Sequence, residues 1–342
     1  MMIDFDFIKR FQPKPKNKVG LDIGSHSIKI LEVLPASDKP TLISFGSKKI
    51  QGLPRDAVSA SIKSLAEELK ISAKEFSISL SGPPLIARLI SMPRMSSDEL
   101  KSAVRFETEK LMPFDINECV LDFQVLAAQE KASNTDVLLA AVKRETVLQK
   151  MKLVQDAGFS VRVVDVDSFA VANAFIASFP ALDQAKTFAV LNMGATMTNV
   201  SILRGSSLAV VRDITIGGND FTAAISKKMG LSPQAAEELK VTFKDKAMDV
   251  TDCVRPVFTN LLDEIKLSFG YHENQSGRGI DEIYVSGGSA DMAGLDDLFQ
   301  DALGSKPRRW DPFQFLRAPD IDTTALGSLK NSFGVAIGLA LR

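Results

Sequence analysis

The sequence predicts an α/β protein made of two halves of one duplicated design, with a small α+β subdomain inserted into the first half. The main observation is a repeated pattern. A short apolar strand, a polar position, a glycine turn and a second alternating strand occur at residues 19–31 and again at 190–202. That separation is far longer than any solenoid period, so the repeat marks a duplication of a whole lobe. Between the two copies, residues 84–164 carry their own alternation of strand and helix, which marks an insertion.

Composition fits such a chain. Its 342 residues are 45% hydrophobic and 24% charged, close to ordinary globular proteins and enough for more than one core. Lys plus Arg number 41 against 42 Asp plus Glu, so no overall field draws the chain to nucleic acid. Cys119 and Cys253 form no C-x-x-C, and His26 and His272 are the only histidines, which excludes a disulfide framework and a clustered zinc site. No apolar run approaches the ~20 residues of a membrane helix. The start Met1-Met2-Ile3-Asp4-Phe5-Asp6-Phe7 is too acidic for a secretory signal, so a cytoplasmic location is expected.

Taken in order, residues 1–18 read as an apolar tail and a Pro/Lys linker. Residues 19–83 read as a first lobe: the hairpin, a third strand at 41–45, a helix carrying Val58, Ile62, Leu65 and Leu69, and a strand at 76–80. Gly82-Pro83-Pro84 breaks that strand and opens the insertion. There a strand runs from Leu85 to Pro93, and Ser96 with Glu99 forms a capping-box signature for a helix that Pro113 ends. Cys119, Leu121, Phe123 and Val125 alternate as a strand, 129–135 reads as a turn, 137–142 as a buried strand, and a helix through Val147 to Val154 closes at Gly158. Residues 165–342 read as the second half. A small-residue helix at 167–180 and a Gly/Ala-rich helix within 323–342 are assigned back to the first lobe. Ser232-Pro233 begins a helix that places Glu237 and Lys240 on one face, and a long helix covers about 250–273.

The glycine turns carry the candidate chemistry. Gly24 and Gly194 let the chain bend sharply, and no Cβ holds a ligand away. The amides of residues 25–27 and 195–198 can then converge on an anion. Two such hairpins facing each other would clamp a polyphosphate. Gly217-Gly218 at a helix start is a further anion-friendly turn.

The order of these motifs, followed by Gly287-Gly288 and the final Gly/Ala helix, resembles the actin-like ATPase superfold over nearly the whole chain. Within the insertion, Glu99-Leu100 through Glu107, Glu109, Met112-Pro113-Phe114-Asp115 and Leu121-Asp122-Phe123-Gln124-Val125 is similar to the insertion of the FtsA/PilM type. Asp22-Ile23-Gly24-Ser25-His26-Ser27-Ile28-Lys29 and Asp165-Val166-Asp167-Ser168-Phe169-Ala170 resemble the PilM family best.

The resemblance implies ATP and Mg²⁺ as cofactors and a role for each motif position. Asp22 would sit near Mg²⁺ through water, with Gly24, Ser25 and Ser27 at the phosphates. Gly194, Ala195, Thr196 and Thr198 would hold the phosphates from the other side. Gly217 and Gly218 would approach ribose and phosphates, Glu237 and Lys240 the adenosine, and Gly287 and Gly288 its sugar and base. Asp22 and Asp167 are the candidates for a catalytic role. The family usually has Asp where this chain has Asn192, and a neutral amide neither attracts Mg²⁺ nor accepts a proton as a carboxylate does, so weak or absent hydrolysis is expected.

Membership would imply a cytoplasmic scaffold on the inner face of the inner membrane that binds the cytoplasmic N-terminal tail of PilN. Other platform proteins, the assembly ATPases and a homo-oligomer are further candidate partners. The cleft for the tail is expected at the strand 85–91 and the helix 100–111, with Arg88, Arg94 or Phe106 as contacts. The alternatives are an FtsA-like cell-division filament protein, against which stands the lack of an amphipathic tail after the last core helix, and a small-molecule kinase of the same superfold.

Overall fold

The computed structural model describes residues 16–83, 85–126, 133–242, 247–292, 294–319, 321 and 323–342. The apolar segment of the expected tail lies outside these residues, as does most of the turn expected at 129–135.

The first half begins with β1 (Lys18–Ile23), β2 (Ser27–Leu34) and β3 (Thr41–Lys49), an antiparallel meander. Helix α1 (Arg55–Glu68) leads to β4 (Glu75–Leu80), parallel to β1. The second half repeats this plan with β9 (Thr187–Met193), β10 (Thr198–Arg204) and β11 (Ser207–Ile214), followed later by β12 (Glu282–Ser286) parallel to β9. Completed by β8 (Ser160–Val166) and β13 (Arg308–Arg309), the two five-stranded sheets run β3-β2-β1-β4-β8 and β11-β10-β9-β12-β13. The duplication therefore holds strand for strand.

The insertion is a three-stranded antiparallel sheet in the order β5-β7-β6, formed by β5 (Ile86–Pro93), β6 (Cys119–Val125) and β7 (Asn134–Lys143). Helix α2 (Ser97–Leu111) covers one face, burying Leu100 and Val104 against Met92, Val137 and Leu139. Its capping box forms as the sequence predicts, with the Ser96 amide donating to Glu99 Oε2 at 2.9 Å and the Glu99 amide to Ser96 Oγ at 3.4 Å.

Several boundaries differ from the sequence reading. Strand β8 pairs in parallel with β4, Ser77 opposite Val163 and Leu80 opposite Val166, and α3 (Arg144–Asp156) packs on α1. An insertion ending at residue 164 would therefore cut elements out of the first sheet. The Val-rich run 161–166 is a parallel strand and needs β4 as its neighbour. Strand β7 starts at Asn134, inside the expected turn, and β3 continues to Lys49 rather than ending at Phe45.

Helix α4 (Asp167–Ser178) and the last helix, α9 (Gly334–Ala340), pack on each other between the two halves. Helix α9 lies on β1 and β2, whereas α4 leans on β9 and β10 of the second sheet. Small residues make this closeness possible. A Cβ at Gly338 would lie 1.8 Å from the Ala170 carbonyl oxygen, and one at Gly20 would lie 1.9 Å from that of Ala336. Phe175, Trp310 and Phe333 fill the core around the pair. The second half adds α5 (Gly218–Met229), α6 (Pro233–Thr242), α7 (Ala247–Ser276) and α8 (Leu295–Leu303).

Candidate functional site

Both hairpin turns close in the same way. The Gly24 amide donates to the Ser27 carbonyl at 3.2 Å, and the Gly194 amide to the Met197 carbonyl at 2.8 Å. The turns face one another across the junction of the halves, and the Ser25 and Thr196 hydroxyls meet at 3.1 Å. Both glycine turns thus meet at one place, where backbone amides of either turn could serve an anion.

Hydrogen bonds fasten the other glycine turns to the second hairpin. The Gly218 amide donates to the Gly194 carbonyl at 2.9 Å, Asn219 to Ala195 at 2.7 Å and Ser289 to Met193 at 3.0 Å. At Gly287, where φ is +94°, a Cβ would lie 2.4 Å from the Met193 carbonyl oxygen; at Gly217 it would lie 2.6 Å from the Met197 amide nitrogen. Glycine is therefore required for these turns to reach the hairpin. Gly24, Ser25, Gly194, Ala195, Thr196, Gly217, Gly218, Gly287 and Gly288 are brought together in this way.

Glu237 and Lys240 join them as more than a surface ion pair. Lys240 is buried, and its Nζ donates to the Gly218 carbonyl at 3.0 Å, Thr222 Oγ1 at 2.9 Å and Glu237 Oε2 at 2.7 Å. Burial pushes the Glu237 carboxyl up, but hydrogen bonds from Lys240 and Thr222 outweigh it and hold the group below its ordinary value.

Four further predicted residues are placed as follows. Thr198 is fully buried and donates its hydroxyl to the Ile216 carbonyl at 2.9 Å, so it braces the turn. Asp22 is buried and ion-paired with Lys29 Nζ at 2.9 Å. The amide of Asn192 donates to Asn199 Oδ1 at 2.9 Å. Asp167 stands near Asp22; burial of its carboxyl first, and the Asp22 charge second, raise its pKa.

Lys29 and Lys150 are the cations that sequence reasoning missed. Lys150 donates to the Ile23 carbonyl at 2.7 Å from α3, where nothing in its helix pattern marks it. Lys29 did leave a signal, a lone lysine in the apolar run Ile28 to Leu31.

These residues fit a magnesium-bound polyphosphate. No group of three or more His, Cys, Asp or Glu side chains placed to hold a metal occurs among the described residues. A metal here would take most of its oxygens from phosphate and water, as Mg²⁺ commonly does, with Asp22 orienting the water. Backbone amides would supply partial positive charge to such phosphates, beside Lys29 and Lys240, which are ion-paired with Asp22 and Glu237.

A second candidate site is a cleft of about 1440 Å³ beside the insertion. It is lined by the sheet face carrying Leu89, Leu138, Ala140 and Val142, by β8 residues Val163 to Val166, by the α4 residues Phe169, Ala172 and Ile176, and by Arg204 and His272. Leu85, just before β5, and Leu89 and Ser91 of β5 face this cleft, whereas Ile86, Ile90 and Met92 face α2. Arg88 falls in the α2-facing phase and is exposed. Phe106 is exposed on α2 beneath Lys110 Nζ, and Arg94 follows β5 near Ser133. The cleft therefore lies on the face of the sheet opposite α2 and is not lined by Arg88, Arg94 or Phe106, the contacts expected from sequence.

Two sheets of identical order, each with a glycine-turn hairpin beside its first parallel strand pair, define the actin-like ATPase fold. Solved structures of that fold match along the chain: ethanolamine utilization protein EutJ from Carboxydothermus hydrogenoformans (TM-score 0.54, 14% identity, 96% of this chain and 90% of that one) and MreB5 of Spiroplasma citri bound to ADP (TM-score 0.52, 11% identity, 96% of each). The family model for type IV pilus assembly protein PilM matches residues 20–342, and the chain belongs to that family. A PilM–PilN type IV pilus biogenesis complex matches with a TM-score of 0.85 at 31% identity, over 96% of this chain and 99% of that one. No helix among the described residues is long and apolar enough to cross a membrane.

Proposed function

We propose that this chain is an ATP-holding scaffold of the type IV pilus inner-membrane platform, and that it binds the cytoplasmic tail of PilN in the cleft beside the insertion. Mg-ATP lies between the turns 24–27 and 194–197, with the adenosine toward Glu237, Lys240, Gly287 and Gly288. The observation that carries the reading is the meeting of both glycine-turn hairpins in a chain of the PilM family. Turnover is weak or absent, because Asn192 leaves the second hairpin without a carboxylate at that position. The scaffold sits at the inner face of the membrane through its partner. The insertion of this family, together with the match to a PilM–PilN complex, favours this reading over a cell-division filament protein or a small-molecule kinase.

An extended peptide suits the cleft. Its apolar side chains would meet Leu138, Ala140 and Val142, and a preformed groove limits the ordering cost to the peptide. Removing residues 84–164 would also remove β8 from the first sheet, so a point substitution is the cleaner test. A labelled PilN-type tail peptide should bind with micromolar affinity, about −8 kcal/mol. Ala140→Arg should weaken binding at least tenfold, whereas Phe106→Ala should leave it within twofold. Equal anisotropy titrations for the unaltered chain and Ala140→Arg would place the partner elsewhere.

A further inference from the structure

The two halves differ at one set of matched positions. In the first hairpin Asp22 lies directly opposite Lys29, and Lys29 opposite Ser47. In the second, Asn192 lies opposite Asn199, and Asn199 opposite Asp213. Each half thus holds one carboxylate in a lateral row of three strands. It stands on β1, the strand that enters the glycine turn, in the first half, and on β11, two strands away from the matching strand β9, in the second.

The second row is hydrogen-bonded end to end. Asn199 Nδ2 donates to Asp213 Oδ1 at 2.7 Å, and Asn192 Nδ2 donates to Asn199 Oδ1 at 2.9 Å. The backbone amide of Gly82 donates to the other Asp213 oxygen at 2.7 Å. A carboxylate only accepts hydrogen bonds, whereas an amide has one accepting and one donating end. Asp213 therefore decides which end of Asn199 points at it, and Asn199, 2% exposed and held between two strands, decides which end of Asn192 is left over. The end of Asn192 left over is its carbonyl oxygen, and the residue is only partly buried.

Resting on the nucleotide reading above, we propose that Asn199 and Asp213 are positioning residues, which turn the carbonyl oxygen of Asn192 toward the hydrated magnesium of a bound nucleotide. The oriented amide supplies the acceptor of the absent carboxylate without its charge. Asn192→Asp alone does not recreate a working carboxylate, because it faces the accepting oxygen of Asn199. The substitution that fits is Asn192→Asp together with Asp213→Asn. The new amide at position 213 then donates to Asn199 Oδ1, and Asn199 Nδ2 donates to the new carboxylate at position 192. The amide oxygen at position 213 still accepts from Gly82.

The test is calorimetric ATP affinity in Mg²⁺ and in EDTA, the ratio of the two being the magnesium gain. Asp213→Asn should reduce that gain at least fivefold and leave metal-free ATP affinity within twofold. Adding Asn192→Asp should restore the gain to at least the unaltered value, whereas Asn192→Asp alone should not raise it. Because the double variant keeps every bond in the row, it remains measurable even if Asp213→Asn alone does not fold, and a gain below the unaltered value in it overturns the proposal. An unaltered chain that binds ATP without any magnesium gain, or a gain that Asp213→Asn leaves within twofold, also overturns it while sparing the nucleotide reading. Failure of the unaltered chain to bind ATP under either condition overturns both.

Discussion

Ser25 and Thr196, 171 residues apart in sequence, bring their hydroxyls to 3.1 Å of each other across the junction of the two halves. The contact joins the two turns proposed to hold phosphate. Ser25→Cys with Thr196→Cys should therefore form a disulfide on mild oxidation. A polyphosphate between the turns should hold the thiols apart, so saturating Mg-ATP should slow oxidation several-fold. Equal rates of disulfide formation with and without nucleotide, read by mass spectrometry, would argue against a shared site.

Close contact between α9 and α4 makes Gly338 a sensitive position. A methyl group there would fall 1.8 Å from a backbone carbonyl oxygen of α4, which cannot swing away as a side chain can. Gly338→Ala should cost about 3 kcal/mol in urea unfolding, at the upper end of ordinary overpacking. Gly279→Ala, where an added Cβ meets nothing within 4 Å, should stay within about 0.5 kcal/mol. Similar losses at both positions would contradict the packing described.

Acid should weaken the fold partly through His272. It is buried at the edge of the cleft beside the insertion, and burial first, then the Arg204 charge, lower its pKa below the ordinary 6.5. Between the lowered value and 6.5 the unfolded chain binds a proton that the folded chain does not. Stability therefore rises with pH through that window and is lost as pH falls through it. His26, lowered by burial and by the Lys49 charge, acts in the same direction. His272→Gln should show a smaller fall in Tm between pH 7 and pH 5 than the unaltered chain, with the His26 share remaining. An equal fall would contradict a role for His272.

Local chemistry was the legible part of this sequence. The glycine turns at Gly24 and Gly194, the capping box at Ser96 and Glu99, and the small residues facing Gly338 all declare themselves within a few positions. Pairings between distant segments did not. Strand β8 joins β4 across the whole insertion, a pairing that nothing within its Val-rich run specifies. Glu237 and Lys240 look like a surface pair at helical spacing, because only the arrival of Gly218 and Thr222 buries Lys240. The row Asn192, Asn199, Asp213 is lateral, running across three strands, so no spacing along the chain reveals it. The alternation of β5 does not by itself say which face α2 covers, so the sequence could not tell that Arg88 and Phe106 lie away from the cleft.

The central claim is that the two hairpins hold ATP, and a direct test is calorimetry of Mg-ATP on the unaltered chain beside Gly24→Val. A side chain at 24 would start 3.1 Å from the Ser27 carbonyl oxygen and extend over the amides of the turn. Saturable binding by the unaltered chain, weakened at least tenfold by a folded Gly24→Val, is the predicted result. ATP affinity that Gly24→Val leaves unchanged would contradict it.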